Sequence, residues 1–507
     1  MATYHSTRSR TEALSAKQAI RRGIAPDGGL YVSDDLGDRR IDLAGIASKS
    51  YFELAREVLG TLLPDYADEE IAACVEEAYG TTFASDEVTP LVKLEGAGAD
   101  SADAVDTAPS YVLELWHGPT SAFKDVALQM LPRLMARTSA ADEGAAGNIM
   151  IVTATSGDTG KAALAGFADA PGCGITVFYP EGKVSRVQEL QMSTQAGANV
   201  SVCAVRGNFD DAQSAVKRIF ADRDLAERLA ASDVQLSSAN SINVGRLVPQ
   251  VVYYFAAYAQ LLREGAVEAG DAVEFCVPTG NFGDILAGYY AKRLGLPIAK
   301  LIVASDKNNV LFDFLTTGTY DRERPFYTTT SPSMDILISS NLERMLYYLA
   351  DGDCELVARL MSELAAGRYT VPAELLAKIQ EVFGCGWADE DQVAAAIKYC
   401  WDRHGYLIDP HTACGYHVLD QVPASEGARA RVVLSTASPY KFPRAVAGAL
   451  GLFCPPDDFA CMKVLEKATG TCAPAQLAEL QEKPVLHTDV VDIDGMGAFV
   501  EDAAAKL

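Results

Sequence analysis

Apolar and polar positions along this chain fall into a repeating two-part pattern. Short unbroken apolar runs such as Tyr111–Trp116 and Ile149–Ala154 read as strands covered on both faces, since a half-exposed strand would alternate. Each is followed by a polar, glycine-bearing segment and then a longer stretch with helical spacing, first at Val126–Met135 and next from about Lys161. The pattern recurs at Ile175–Tyr179 with a helix near Val187–Gln195, and at Val200–Val205 with one long helix near Asp210–Ala230. It returns at Val273–Val277 with Ile285–Leu294, continues with a strand at Ile298–Ala304, and ends in a strand at Arg431–Ser438. Strands alternating with helices predict parallel sheets joined by right-handed crossovers, an α/β fold.

The flanks differ. Residues 1–95 read as a mostly helical extension with one short strand after the turn-rich Gly23–Val32. The stretches 96–110 and 138–147, rich in small and polar residues, are expected to be surface loops. Residues between about 305 and 420 read as largely helical, with turns in the Pro/Ser/Thr cluster 328–333, and residues 456–507 read as a helical extension. Four units are expected: 1–95, a smaller α/β domain at 108–240, a larger α/β domain at 241–455, and 456–507.

Composition narrows the class. At 507 residues the chain is too long for one core, and an apolar fraction of 49% is that of a globular protein. Its 43 basic and 68 acidic residues leave a formal charge of −25, which argues against nucleic acid and anionic membranes as partners. Screening beyond about 8 Å still lets a local cluster of donors bind an anion. The 11 cysteines are scattered, without a Cys-x-x-Cys pair, and the 6 histidines show no metal spacing. Free thiols in a reducing compartment and no metal are the expectation. No apolar leader or run of roughly 18 apolar residues occurs, so a soluble, cytoplasmic protein is expected.

Candidate chemistry lies between strands and helices. In His117-Gly-Pro-Thr-Ser-Ala-Phe-Lys-Asp125, Lys124 stands where a strand gives way to a helix, an active-site address in α/β sheets. A half-desolvated lysine there is a nucleophile able to form a Schiff base with an aldehyde cofactor such as pyridoxal phosphate; a solvated lysine beside a helix start is the ordinary alternative. Thr155-Ser156-Gly157-Asp158-Thr159-Gly160 brings amides to a helix N-terminus, which suits an anion or a plain capping turn equally; it is no Walker loop. Ser237–Arg246 is dense in hydroxyl, amide and guanidinium donors ahead of a helix at Leu247–Leu262, and suits a phosphate. Thr279-Gly280-Asn281-Phe282-Gly283-Asp284 can cradle a phosphate with main-chain amides alone. Thr436 ends the last strand at the edge where such sheets bind ligands.

These segments, with Ser6-Thr7-Arg8 and Asp27-Gly28-Gly29-Leu30-Tyr31-Val32, closely resemble the motifs of threonine synthases in that family's order, from the N-terminal segment through Lys441. The resemblance implies a fold-type II pyridoxal-phosphate enzyme, similar to the tryptophan synthase β chain, that converts O-phospho-L-homoserine and water into L-threonine and phosphate. Carried over residue by residue, Lys124 would hold the cofactor as a Schiff base and shuttle the α-proton. Gly280, Asn281, Phe282 and Gly283 would bind the cofactor phosphate, Thr436 would face the pyridine nitrogen, and Asp158 would lie near the ring. Ser156 and Thr159 would take the substrate carboxylate or phosphate, and Asn240, Ser241 and Arg246 the substrate phosphate. Ser121, Ser438 and Tyr440 depart mildly from the family pattern. A monomer or homodimer without nucleic-acid or membrane partners is implied. The competing readings are another fold-type II lyase, such as a serine/threonine dehydratase, and a non-catalytic relative that binds phosphorylated ligands.

Overall fold

The computed structural model describes residues 3–95, 110–138, 147–155 and 157–507. Two sheets organise it. The larger has six strands in the order Phe383–Trp387, Ile298–Ser305, Ala272–Pro278, Ala428–Ser435, Ser110–Glu114 and Leu91–Lys93. All neighbours pair in parallel except the last strand, which runs antiparallel to Ser110–Glu114. The smaller sheet has five parallel strands in the order Asp489–Asp492, Val200–Arg206, Cys173–Pro180, Asn148–Ala154 and Val234–Ser237. The central strands are covered on both sides; Cys173–Pro180, for example, is buried at every position.

Sheet membership does not follow the linear boundaries expected from the sequence. Ser110–Glu114, inside the 108–240 segment, pairs with Ala428–Ser435 in the larger sheet, because the register Val432↔Tyr111 through Ser435↔Glu114 buries both apolar strands. The C-terminal 456–507 segment, expected to be helical, contributes the edge strand Asp489–Asp492 to the smaller sheet, and Met496 and Val500 of its last helix join the core around Val152 and Phe178. The N-terminal unit carries a three-stranded antiparallel sheet, Tyr4–Ser6, Ser9–Leu14 and Tyr31–Ser33, where one strand was expected.

Several boundaries also move. The long helix expected at 210–230 is two helices, Phe209–Ala221 and Arg223–Ala231, because Asp222 leaves helical geometry and its side chain accepts from the Leu225 amide at 3.0 Å. Phe383–Trp387 is a sheet strand, hidden in the sequence by two strand-disfavouring glycines. A Cβ on Gly386 would stand 2.7 Å from Val418, so close packing of the helix Pro410–Gln421 requires the glycine. The helices at the ligand edge start earlier than expected, at Asp158, Val244 and Gly283, which places Thr159 and Arg246 inside first turns. The loop expectations at 96–109 and 139–146 and the Ser156 assignment lie outside the described residues. Among the described residues no helix is long and apolar enough to cross a membrane.

Candidate active site

Lys124 opens the helix Lys124–Ala136 and is held by main-chain pairing to the end of the strand Ala428–Ser435. The Phe123 amide donates to the Thr436 carbonyl at 2.8 Å, and the Ser438 amide donates to the Ser121 carbonyl at 3.1 Å. The turn before it is tight: Asp125 accepts from the Thr120 amide and hydroxyl at 2.8 and 2.6 Å, and a Cβ on Gly118 would lie 2.5 Å from the Asp125 side chain. Lys124 is 8% exposed, and burial pulls its amine down to about 8. Its Nζ donates to Ser333 Oγ at 3.0 Å and lies 4.9 Å from the centre of the Phe123 ring.

A cavity opens beside this amine. Lys124, Thr159, Asn240, Ser241, Arg246, the turn Gly280–Gly283 and Thr436 all line it. Of the residues singled out in the sequence, Asp158 stands just behind the wall and Ser156 is not described. Residues separated by more than 300 positions are brought together because the strand ends Ala272–Pro278 and Ala428–Ser435 are neighbours, with Ser110–Glu114 leading to the lysine segment.

The Gly280–Gly283 turn is tightly constrained. Phe282 takes a left-handed φ of 63° and is buried against Phe383, with ring centroids 5.4 Å apart. That side chain anchors the turn while the helix Gly283–Arg293 starts, leaving first-turn amides without partners inside the helix. A Cβ on Gly280 would stand 2.8 Å from the Ser333 carbonyl, so the turn admits no side chain there. Asn341 ties it to the neighbouring loop by donating to the carbonyls of Ser241 and Asn281 at 3.1 and 3.2 Å.

Arg246 is the strongest electrostatic feature. It is 3% exposed, Nη1 donates to the Ala239 carbonyl at 3.0 Å, and Nε is buried without an acceptor among the described residues. Among the described residues no carboxylate pairs with it, and burial alone pulls its guanidinium down to about 10. Asp158, by contrast, is compensated. Burial opposes its ionisation, but Lys441, whose Nζ lies 2.9 Å from Oδ1, and Lys124 together hold the carboxyl far below the usual range. Asp158 Oδ2 accepts from Ser333 Oγ at 3.4 Å.

Sequence reasoning passed over several residues here. Ser333 sits in a segment read only as turns. His411 Nδ1 is 2.6 Å from Asp409 Oδ2 and its Nε2 accepts from the Ser333 amide at 3.1 Å, so its proton is on Nδ1. Lys441 also donates to the Thr120 carbonyl at 2.8 Å. Arg344 is fully buried and donates to the carbonyls of Tyr31 and Ile242 at 3.0 and 2.6 Å, joining the N-terminal unit to the loop before Arg246. Arg8 and Thr7 of the Ser-Thr-Arg motif bond its neighbour Glu343. The available signal was the Asp409-Pro410-His411 helix start; nothing local marks Ser333.

Two largely parallel sheets covered by helices, with a buried lysine and a glycine-bearing turn lining one cavity, are the frame of fold-type II pyridoxal-phosphate enzymes. Residues 84–437 match the family described as pyridoxal-phosphate dependent enzyme, residues 3–79 match the threonine synthase N terminus, and residues 412–500 match the threonine synthase C-terminal family. Threonine synthase of Pseudomonas aeruginosa is 40% identical over 451 residues, covering 88% of this chain and 90% of that protein. Human threonine synthase-like 1 is 38% identical over 455 residues, covering 87% of this chain; the chain spans 59% of that protein's length. The crystal structure of pyridoxal-phosphate-bound threonine synthase from Brucella melitensis superposes with a TM-score of 0.86 at 38% identity, covering 99% of this chain and 100% of that one. Yeast threonine synthase superposes with the same TM-score, 0.86, at 34% identity, covering 100% of this chain and 99% of that one. This chain belongs to the threonine synthase family.

Proposed function

We propose that the protein is a threonine synthase that binds pyridoxal 5′-phosphate and converts O-phospho-L-homoserine and water into L-threonine and phosphate. One observation carries the reading: a single cavity presents two separate anion sites to one buried lysine. The first is the main-chain turn Gly280–Gly283, and the second is Arg246, whose charge no carboxylate among the described residues balances. A cofactor phosphate and a substrate phosphate account for both. A dehydratase acting on serine needs only the first.

The residues fit the cofactor. Gly280, Asn281, Phe282 and Gly283 would hold its phosphate, since the turn lines the cavity beside Lys124 and the helix start at Gly283 supplies amides. Thr436 would face the ring nitrogen; a hydroxyl does not keep that nitrogen fully protonated, which suits elimination and replacement chemistry. When bound, pyridoxal phosphate supplies an aldehyde for amines and a ring that withdraws electrons from the substrate's reacting carbons. Lys124 Nζ, at about 8, is partly neutral near pH 7 and takes and returns the proton of the substrate α-carbon. Asn240, Ser241 and Arg246 bind the substrate phosphate and stabilise its charge as it leaves, while Ser156 and Thr159 bind the substrate's carboxylate or phosphate. Asp158 keeps a fixed negative charge beside the reacting amine. The two sheets serve as the two domains of the enzyme, and it acts in the cytoplasm as a monomer or homodimer.

The test is direct. The protein charged with cofactor should release inorganic phosphate from O-phosphohomoserine with matching threonine formation, and should form no pyruvate from serine. Pyruvate from serine without phosphate release would overturn the proposal.

A further inference from the structure

Ser333 comes from a segment, 328–335, that belongs to neither the lysine turn nor the phosphate turn, yet it touches the reacting amine. Lys124 Nζ donates to its Oγ at 3.0 Å, and that same hydroxyl donates to Asp158 Oδ2 at 3.4 Å. With its hydrogen directed at a carboxylate, Oγ offers only lone pairs to the lysine. The main chain is held as firmly: the Ser333 amide donates to His411 Nε2 at 3.1 Å, and His411 is oriented by Asp409 at 2.6 Å on Nδ1. The Ser333 carbonyl in turn crowds Gly280, where a Cβ would be 2.8 Å away. Asp409, His411, Ser333 and Lys124 therefore form one hydrogen-bonded chain, braced against the Gly280–Gly283 turn.

We propose that Ser333 is a positioning residue for Lys124: its hydroxyl, polarised by Asp158 and set in place by the Asp409–His411 pair, accepts a hydrogen bond from Nζ and fixes the direction in which the amine presents its lone pair to the cavity. The inference rests on Lys124 being the reactive amine and not on which substrate it meets. Asp158, Asp125, Lys441, Arg246, Asp284 and His411 are the charged and titratable groups that share this environment with the amine. An acceptor favours the charged ammonium over the neutral amine, so its removal lowers the amine's proton affinity. A residue that merely fills space would leave that affinity unchanged.

The experiment uses full-length protein freed of cofactor. Reductive methylation at Lys124 is followed by peptide mass spectrometry across pH, which reads the neutral fraction of the amine. Wild type is expected to titrate at about 8. Ser333→Ala should move the midpoint down by about one pH unit, a tenfold change in the ratio of the two forms, and Ser333→Thr, which keeps the hydroxyl, should restore it. Ser333→Cys has nearly the same size and a weak acceptor, and should shift like Ala, so it carries the test if the alanine variant fails to fold. An unmoved midpoint in Ala and Cys variants overturns the proposal, even if phosphate release proceeds normally. A moved midpoint in a protein that releases no phosphate from phosphohomoserine overturns the functional reading and supports this one.

Discussion

Replacing Arg246 by methionine should separate function from stability in opposite directions. The side chain is 3% exposed, donates to the Ala239 carbonyl, and faces no carboxylate among the described residues. A phosphate meeting the guanidinium through two charge-assisted bonds gains about 1.5–3 kcal/mol from each, or roughly 3–6 kcal/mol in all. At about 1.4 kcal/mol per factor of ten, loss of these bonds should cut kcat/KM for O-phosphohomoserine by roughly 10²–10⁴-fold. The folded protein without ligand gains from the same change. Methionine fills much of the volume and removes an unbalanced buried charge, which offsets the roughly 1 kcal/mol lost at the Ala239 carbonyl. The melting temperature of the variant should therefore equal or exceed that of wild type. With pyridoxal phosphate already occupying the Gly280–Gly283 turn, inorganic phosphate should raise the wild-type melting temperature through linkage and leave the variant's nearly unchanged. Coupled phosphate-release kinetics and thermal melts with and without phosphate are sufficient. Wild-type kcat/KM in the variant, or a large loss of stability with phosphate protection intact, would refute the reasoning.

Three further outcomes follow from the same geometry. Lys124→Ala should abolish the visible absorbance that reconstitution with pyridoxal phosphate produces and all turnover, while circular dichroism stays unchanged; a retained absorbance band would remove Lys124 from its role. Lys441→Met leaves the buried Asp158 carboxylate without its closest cation and should cost about 3–5 kcal/mol in urea unfolding, much of it recovered by adding Asp158→Leu. Asp284, which accepts from the Tyr253 and Tyr254 hydroxyls at 2.5 and 3.2 Å, is pushed up to about 7 by burial. Between about pH 4 and 7 the native state holds a proton there that the unfolded state has lost, so this group's contribution to stability falls as pH rises through that window. Asp284→Asn should flatten that part of the stability–pH curve, and an unchanged slope would show that the carboxyl is not protonated.

Local signals made much of the site readable. The lysine segment, the glycine turn at 280–283 and the donor-rich run ending at Arg246 each lie between a strand and a helix, and apolar periodicity marks those elements directly. Helix starts were less accurate: Asp158 and Gly283 lack the apolar side chains from which a helical period is counted, and Gly245 and Arg246 separate Val244 from the apolar run that begins at Leu247. Phe383–Trp387 escaped notice because Gly384 and Gly386 mask its strand character, and their value appears only when the helix Pro410–Gln421 packs against it.

The amino-acid sequence by itself determined the α/β elements and the chemical types at the strand ends, since these depend on side-chain periodicity and on turn chemistry within a few residues. Tertiary structure alone decided which strands share a sheet and which charges meet. Ser110–Glu114 pairs with a strand more than 300 residues away, Lys441 neutralises Asp158, Ser333 reaches Lys124, and Arg246 is left without a carboxylate among the described residues. The physical reason is that burial and Coulomb interaction depend on distance in space, which a residue's neighbours along the chain do not encode.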